Sequence, residues 1–132
     1  MTALDTNVIV RLIVRDDAEQ AARAAALVRG APCWVPKSVI LETEWVLRAA
    51  YRYTPDQVCE AFEALTAMVN IELDEPEAVT SAVLWHRAGL DFAEALHLAA
   101  SQSCERFATF DARLRSAASR LKSRATAVEP HR

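Results

Sequence analysis

The chain has 132 residues, of which 52% are hydrophobic and 25% charged, and its formal net charge is −3. We expect one globular, helix-rich domain spanning residues 1–132, because this length is enough to bury a core without disulfides or metals. No apolar stretch approaches the roughly 20 residues of a membrane helix, and the charge is not that of a strongly basic nucleic-acid-binding protein.

The cysteines and the N-terminus both favour a reducing cytoplasm. Cys33, Cys59 and Cys104 are odd in number and far apart, so they form neither a disulfide framework nor a CxxC metal motif. The N-terminus lacks the basic start, long apolar segment and cleavage site of a secretory signal. We therefore expect a cytoplasmic protein with no membrane partner.

Short strand-like runs alternate with longer segments of helical periodicity along the whole chain. The predicted strands cover residues 2–4, 34–35, 71–73, 107–109 and 126–128. The predicted helices cover residues 8–14, 18–28, 38–52, 55–68, 77–88, 92–103 and 112–118. Strands separated by helices pair in parallel through right-handed crossovers, so the pattern predicts an α/β fold with helices on both faces of a sheet.

Two aspartates stand where predicted strands end. Asp5 follows the first strand, and Asp111 follows the fourth in the segment RFATFDARL. Ligands of parallel α/β sheets bind beyond the carboxyl ends of the strands, and both aspartates belong to that edge. The alternative is helix capping, because each aspartate also precedes a helix whose first amide groups need acceptors.

A glutamate of the third predicted helix is the next candidate. Periodicity predicts that Glu42 points inward, on the stripe formed by Val39, Trp45, Val46 and Ala49. Glu44 falls on the other side, four residues before Arg48, and is predicted to form a surface ion pair with it. An unpaired inward carboxylate is costly unless a cation or strong donors meet it, so Glu42 is predicted to have a partner.

The segment GLDFAEALHLAASQ carries two further acids at the start of an apolar helix. Asp91 and Glu94 are three residues apart and therefore share one helix face. The alternative is a capping box, in which Asp91 caps the helix and Glu94 completes the box from its third position.

Together the five acids would repel one another in an empty pocket. They are Asp5, Glu42, Asp91, Glu94 and Asp111. A Mg²⁺ or Mn²⁺ ion resolves the repulsion, because hard cations take oxygen ligands. Zinc is less favoured, because the three histidines show no ligand spacing.

Four segments match a known family in order and spacing: LDTNVIVRLI, VILETEWVL, GLDFAEALHLA and FATFDARL. They resemble the PIN-domain family, and within it the VapC toxins of bacterial toxin–antitoxin pairs. The resemblance implies a three-layer α/β/α sandwich with a central, mostly parallel sheet. It also implies a Mg²⁺- or Mn²⁺-dependent endoribonuclease that forms a homodimer and is inhibited by a VapB-type antitoxin.

The resemblance assigns roles to particular residues. Asp5, Glu42 and Asp111 match three of the family's catalytic, metal-binding acids, with Asp111 in its T-x-D motif after Thr109. Asn7 is similar to a residue that orients the first acid.

The fourth acid departs from the family pattern. Glu94 stands in AEA where the family usually has ADA, so the resemblance implies a catalytic and metal-binding role for Glu94, with Asp91 sharing the metal binding.

The expected reaction is attack of water on phosphorus, with a 5′-phosphate product. The alternative chemistry through the RNA 2′-hydroxyl needs a histidine pair or a His/Lys set that the sequence does not show. Candidate phosphate-binding residues are Arg11, Arg15 and the basic tail region from about residue 113, for which a solvated helix face is the alternative.

Two other functions compete with the nuclease. An aspartyl phosphatase or a receiver domain would need a second acid near Asp5, where the chain has Asn7, and a lysine late in the chain. A catalytically weakened PIN domain that binds RNA or protein is the other alternative, and the Glu94 replacement is its support.

Overall fold

The computed structural model describes residues 1–131, which form five short strands and seven helices. The strands are β1 (Thr2–Ala3), β2 (Cys33–Val35), β3 (Ile71–Leu73), β4 (Arg106–Ala108) and β5 (Thr126–Val128). The helices are α1 (Thr6–Val14), α2 (Ala18–Gly30), α3 (Lys37–Tyr51), α4 (Pro55–Thr66), α5 (Pro76–Arg87), α6 (Phe92–Ala99) and α7 (Ala112–Arg120). The predicted order of strands and helices is confirmed.

The largest difference from the predicted boundaries is at the end of α6. The helix was expected to continue to residue 103 but ends at Ala99, and the chain continues in turns. Ser101 N donates to Leu98 O at 3.0 Å in the first of these turns. In the turns that follow, the Gln102 side chain donates to Leu98 O at 3.0 Å and to Ser123 Oγ at 2.8 Å.

Every strand pair in residues 1–131 is parallel. One sheet has the order β1-β2-β3, with Ala3 opposite Trp34 and Val35 opposite Leu73. A second sheet pairs β4 with β5. The predicted α/β class with parallel strands is confirmed, and its described strands form a three-stranded and a two-stranded sheet.

The contacts divide the chain into two compact units, Met1–Pro76 and the segment from Glu77 onward. Core side chains of the first unit include Ile9, Val35, Ile40, Leu47, Val58 and Phe62. Core side chains of the second unit include Val79, Phe92, Ala95 and Leu98. None of the helices in the described residues is long and apolar enough to cross a membrane.

Several helices begin at a side chain that accepts a hydrogen bond from a first-turn amide. Thr54 forms a capping box with Gln57 at the start of α4. Asp5, Asp91 and Asp111 have the same position before α1, α6 and α7. Three of the five predicted acids are therefore helix caps, each held at the junction where a helix starts.

Candidate active site

Asp5 lies between β1 and α1, two residues after the strand ends. Its Oδ1 accepts a hydrogen bond from Thr6 N at 2.8 Å, so the carboxylate caps the helix. The side chain is nevertheless exposed, and a ligand can reach it. Asn7, predicted to orient Asp5, is exposed in the first turn of α1, and its orienting role stays a prediction.

The hydroxyl of Thr6 connects Asp5 to the second candidate acid. Thr6 is 6% exposed, and its Oγ1 donates a hydrogen bond to Glu42 Oε1. Because Thr6 directly follows Asp5, this bond holds Glu42 of α3 close to the start of α1 within the first unit. Thr6 is not among the residues predicted from the sequence. The sequence feature that could have identified Thr6 is its position three residues before Ile9, on the buried stripe of α1.

The predicted orientation of the two glutamates of α3 is wrong. Glu42 is exposed, whereas Glu44 is 3% exposed and accepts a hydrogen bond from Arg48 Nε at 2.9 Å. The buried stripe of α3 consists of Ile40, Thr43, Glu44 and Leu47. The predicted stripe contains Trp45, but this side chain is 58% exposed, so the sequence pattern gives the wrong rotational phase for α3.

Asp91 and Asp111 in the second unit are both caps with exposed side chains. Asp91 Oδ2 accepts a hydrogen bond from Glu94 N at 3.2 Å. Asp111 Oδ1 accepts from Arg113 N at 2.9 Å and from Leu114 N at 3.1 Å. The capping alternative therefore describes the local geometry of both residues, and capping occupies only one oxygen of each carboxylate.

The carboxyl groups of Glu94 and Asp111 interact, and each shifts the pKa of the other. Burial raises the pKa of Glu94, and the hydrogen bond and negative charge of Asp111 raise it further. The pKa of Asp111 is lowered, first by the hydrogen bond from the Leu114 amide and then by its bond to Glu94. Of the two carboxyl groups, Glu94 is therefore the one that keeps a proton to higher pH, because the negative charge of Asp111 opposes its ionisation.

Other residues of the second unit adjust this pair. The negative charge of Asp91 raises the pKa of Glu94, whereas the positive charge of Arg113 lowers it. Thr109, predicted from the T-x-D motif, accepts a hydrogen bond from Asp111 N on its Oγ1 at 3.1 Å. Thr109 therefore holds the backbone of Asp111, and its supporting role in the site stays a prediction.

The carboxylate oxygens suit a hard divalent cation, but their arrangement supplies only part of a metal site. Residues 1–131 contain no group of three or more His, Cys, Asp or Glu side chains that could hold a metal ion. The pair Glu94 and Asp111 fits such a cation best, because its repulsion is relieved by any positive charge between the two carboxylates.

The guanidinium group of Arg11, a predicted phosphate-binding residue, is occupied by protein acceptors. It is paired with Asp16, and its Nε donates to Gln20 Oε1 at 2.7 Å. Its Nη1 also lies 3.4 Å from the Tyr51 hydroxyl. These contacts connect α1 to α2 and α3 and favour a structural role for Arg11.

Comparison with known families identifies the chain. The profile of a family described as PIN domain matches residues 2–119. This match spans β1 through most of α7, including all five predicted acids. A search of curated proteins finds no match to the chain.

Proposed function

We propose that this chain, which belongs to the PIN-domain family, is an endoribonuclease that depends on Mg²⁺ or Mn²⁺ and hydrolyses RNA phosphodiester bonds. PIN domains are typically nucleases, generally use divalent metals and act on nucleic acids. The parallel α/β fold agrees with that family. The RNA specificity, the metal dependence and the residue roles are the parts that need a test.

The carboxyl groups of Glu94 and Asp111, each of which shifts the pKa of the other, are the observation that carries this proposal. Two carboxyl groups that interact in this way oppose each other's ionisation, so the ionised form of Glu94 is disfavoured without a cation. The arrangement is useful where a divalent cation takes the place of a proton. A purely structural pair would be served better by one acid and one amide.

We assign four acids to catalysis and metal binding: Asp5, Glu42, Glu94 and Asp111. Asp91 is a further candidate metal ligand, and Thr6 and Thr109 hold their neighbouring acids in place. A bound Mg²⁺ or Mn²⁺ would lower the pKa of a water molecule and stabilise negative charge on the phosphate. The expected products carry a 5′-phosphate and a 3′-hydroxyl.

The biological role in the proposal is that of a VapC-type toxin. Its support is the resemblance of four segments, in the right order, to this branch of the family. The proposal includes a homodimer, a VapB-type antitoxin that silences the nuclease, and action in the cytoplasm. Growth arrest on expression of the wild type, absent for Asp5→Ala, would support the toxin role, and unaffected growth in both would count against it.

The nuclease is tested by incubating purified protein with several RNA classes in Mn²⁺ or Mg²⁺, with and without chelator. We expect cleavage by the wild type, loss of cleavage in chelator, and loss in Asp5→Ala and Glu94→Gln. Glu94→Asp, which restores the acid usual in the family, is expected to remain active. Glu60→Gln removes an exposed carboxylate on α4 and serves as the control.

Two results would overturn the mechanism in different ways. Cleavage that persists in chelator and in Asp5→Ala would reject the metal-dependent site. RNA that stays intact throughout but binds to the protein would favour the alternative, a catalytically weakened PIN domain that acts as a binding module.

A further inference from the structure

Three charged residues occupy equivalent positions after the three strands of the first sheet. Asp5 lies two residues after β1, Lys37 two residues after β2, and Glu75 two residues after β3. The strands are parallel and adjacent in the order β1-β2-β3. Their carboxyl ends therefore meet at one edge, with the lysine on the middle strand and an acid after each neighbour.

Backbone hydrogen bonds continue the sheet towards these residues. Leu4 N donates to Trp34 O at 2.9 Å, and Asp74 N donates to Val35 O at 2.9 Å. Both bonds lie beyond the last paired residues of β1 and β3. Neighbouring strands lie about 4.8 Å apart. The strand that leads to Lys37 is therefore next to the strand that leads to Asp5.

Lys37 is held by Glu75 on the side away from β1. Its Nζ lies 2.7 Å from Glu75 Oε1, and the lysine side chain is 26% exposed while the glutamate is 53% exposed. The hydrogen bond to Glu75 raises the pKa of Lys37, so the ammonium group stays charged at neutral pH. An ion pair this exposed contributes little to stability and can be exchanged for another anion.

The position of Lys37 in α3 is unfavourable for a cation. Lys37 is the first residue of the helix, where the positive end of the helix dipole favours negative charge. Pro36 at the N-cap supplies no side-chain acceptor. Glu75, whose φ of 47° is in the left-handed region, provides the nearby negative charge instead. The start of a helix is thus unfavourable for Lys37, and a positive φ is unfavourable for Glu75.

We propose that Lys37 binds a backbone phosphate of the RNA strand beside Asp5, and that Glu75 is the counter-ion which this phosphate displaces. The inference rests on the proposed function, because it names a binding residue of the same site. A lysine ammonium is a compact charge that suits a single phosphate oxygen. Glu75 then competes with RNA, so removal of its charge should strengthen binding.

The test measures binding of a fluorescent single-stranded RNA oligomer to the full chain by anisotropy, in chelator so that cleavage does not contribute. The variants are Lys37→Ala, Lys37→Arg and Glu75→Gln, with Glu60→Gln as a matched control of the same charge change on α4. Titrations at several salt concentrations give the slope of log K against log[salt], which reports the number of phosphate contacts.

We expect Lys37→Ala to bind several-fold more weakly and to lose about 0.7 from the magnitude of the salt slope, the contribution of one phosphate on a single strand. Lys37→Arg should keep most of the affinity. Glu75→Gln should bind more tightly than both the wild type and Glu60→Gln. A merely structural ion pair would not produce this last result, because losing either partner would then have the same effect.

Two outcomes overturn the inference. If Lys37→Ala binds RNA as tightly as the wild type, Lys37 does not contact phosphate. If Glu75→Gln is no tighter than Glu60→Gln, Glu75 is not the competing anion. These results are distinct from failure of the proposed function, in which the wild type itself neither binds nor cleaves RNA. Thermal melting of each variant identifies any loss of affinity that is due to unfolding.

Discussion

Replacing Thr6 by valine tests whether the hydrogen bond to Glu42 positions an acid of the site. The valine side chain has nearly the same shape, so the substitution removes the donor and keeps the packing of a residue that is 6% exposed. Glu42 would then lose the only side-chain donor that it has within residues 1–131. The carboxylate would become free to rotate in solvent.

The expected loss follows from the strength and exposure of that bond. A hydrogen bond to a charged group contributes about 1.5–3 kcal/mol, which corresponds to a factor of roughly 10 to 150 if it is lost completely. Glu42 is exposed, so water replaces part of the interaction. We therefore expect kcat/KM for RNA to fall by about tenfold, at the lower end of the range for residues that orient metal ligands.

The assay compares kcat/KM and the Mn²⁺ concentration for half-maximal activity in the wild type, Thr6→Val and Thr6→Ser. The serine variant keeps the hydroxyl and should remain within a few-fold of the wild type, whereas the valine variant should need more Mn²⁺. Equal activity of Thr6→Val and the wild type would refute a positioning role for the bond. Equal losses in both variants would show that the exact packing of Thr6, rather than its hydrogen bond alone, determines activity.

Three further predictions concern stability. Thr43→Val should raise the free energy of unfolding by about 1–3 kcal/mol and Tm by about 4–10 °C. The reason is that the buried Thr43 Oγ1 has no hydrogen-bond partner within residues 1–131, and an unchanged Tm would contradict it. Arg48→Ala should lower the free energy of unfolding in urea by about 1–3 kcal/mol, because the buried carboxylate of Glu44 loses a charged donor, and a change near zero would show that solvent replaces it. In chelator, Glu94→Gln should be more stable than the wild type at pH 7. Because the pKa of Glu94 is raised in the folded protein, this residue stabilises the fold at pH values below its ordinary pKa of 4.5. That stabilisation is lost as the pH rises through the pKa of the folded state. The Tm of the wild type should therefore fall between pH 4 and pH 8, and the Tm of Glu94→Gln should change less. The same pH dependence in both proteins would refute the coupling.

The elements could be predicted from the sequence because local signals agree with the fold. Prolines at the starts of α4 and α5, and aspartates before α1, α6 and α7, give the same boundaries as the hydrophobic periodicity. The alternation of strands and helices likewise indicates parallel pairing, and every described strand pair is parallel. In these elements, the local preferences of the residues agree with the tertiary structure.

The phase of α3 could not be predicted in the same way. Its sequence offers two possible apolar stripes, and one of them contains Trp45 while the other contains Thr43 and Glu44. Periodicity gives a large aromatic residue more weight than a threonine or a charged residue, although pairing with Arg48 makes Glu44 tolerable inside. The hydrogen bond from Thr6 to Glu42 joins residues 36 positions apart, and no local pattern reveals such a contact.

Capping and metal binding are compatible roles for the aspartates of this protein. A cap binds one carboxylate oxygen to amide groups, which fixes the side-chain rotamer and keeps the acid ionised, as the lowered pKa of Asp111 shows. The second oxygen is then presented in a fixed direction. Glu94 differs, because it lies inside the first turn of α6 and its pKa is raised by burial and by Asp111. A cation that binds this pair competes with protonation of Glu94, so metal affinity should increase with pH in the wild type and depend less on pH in Glu94→Gln.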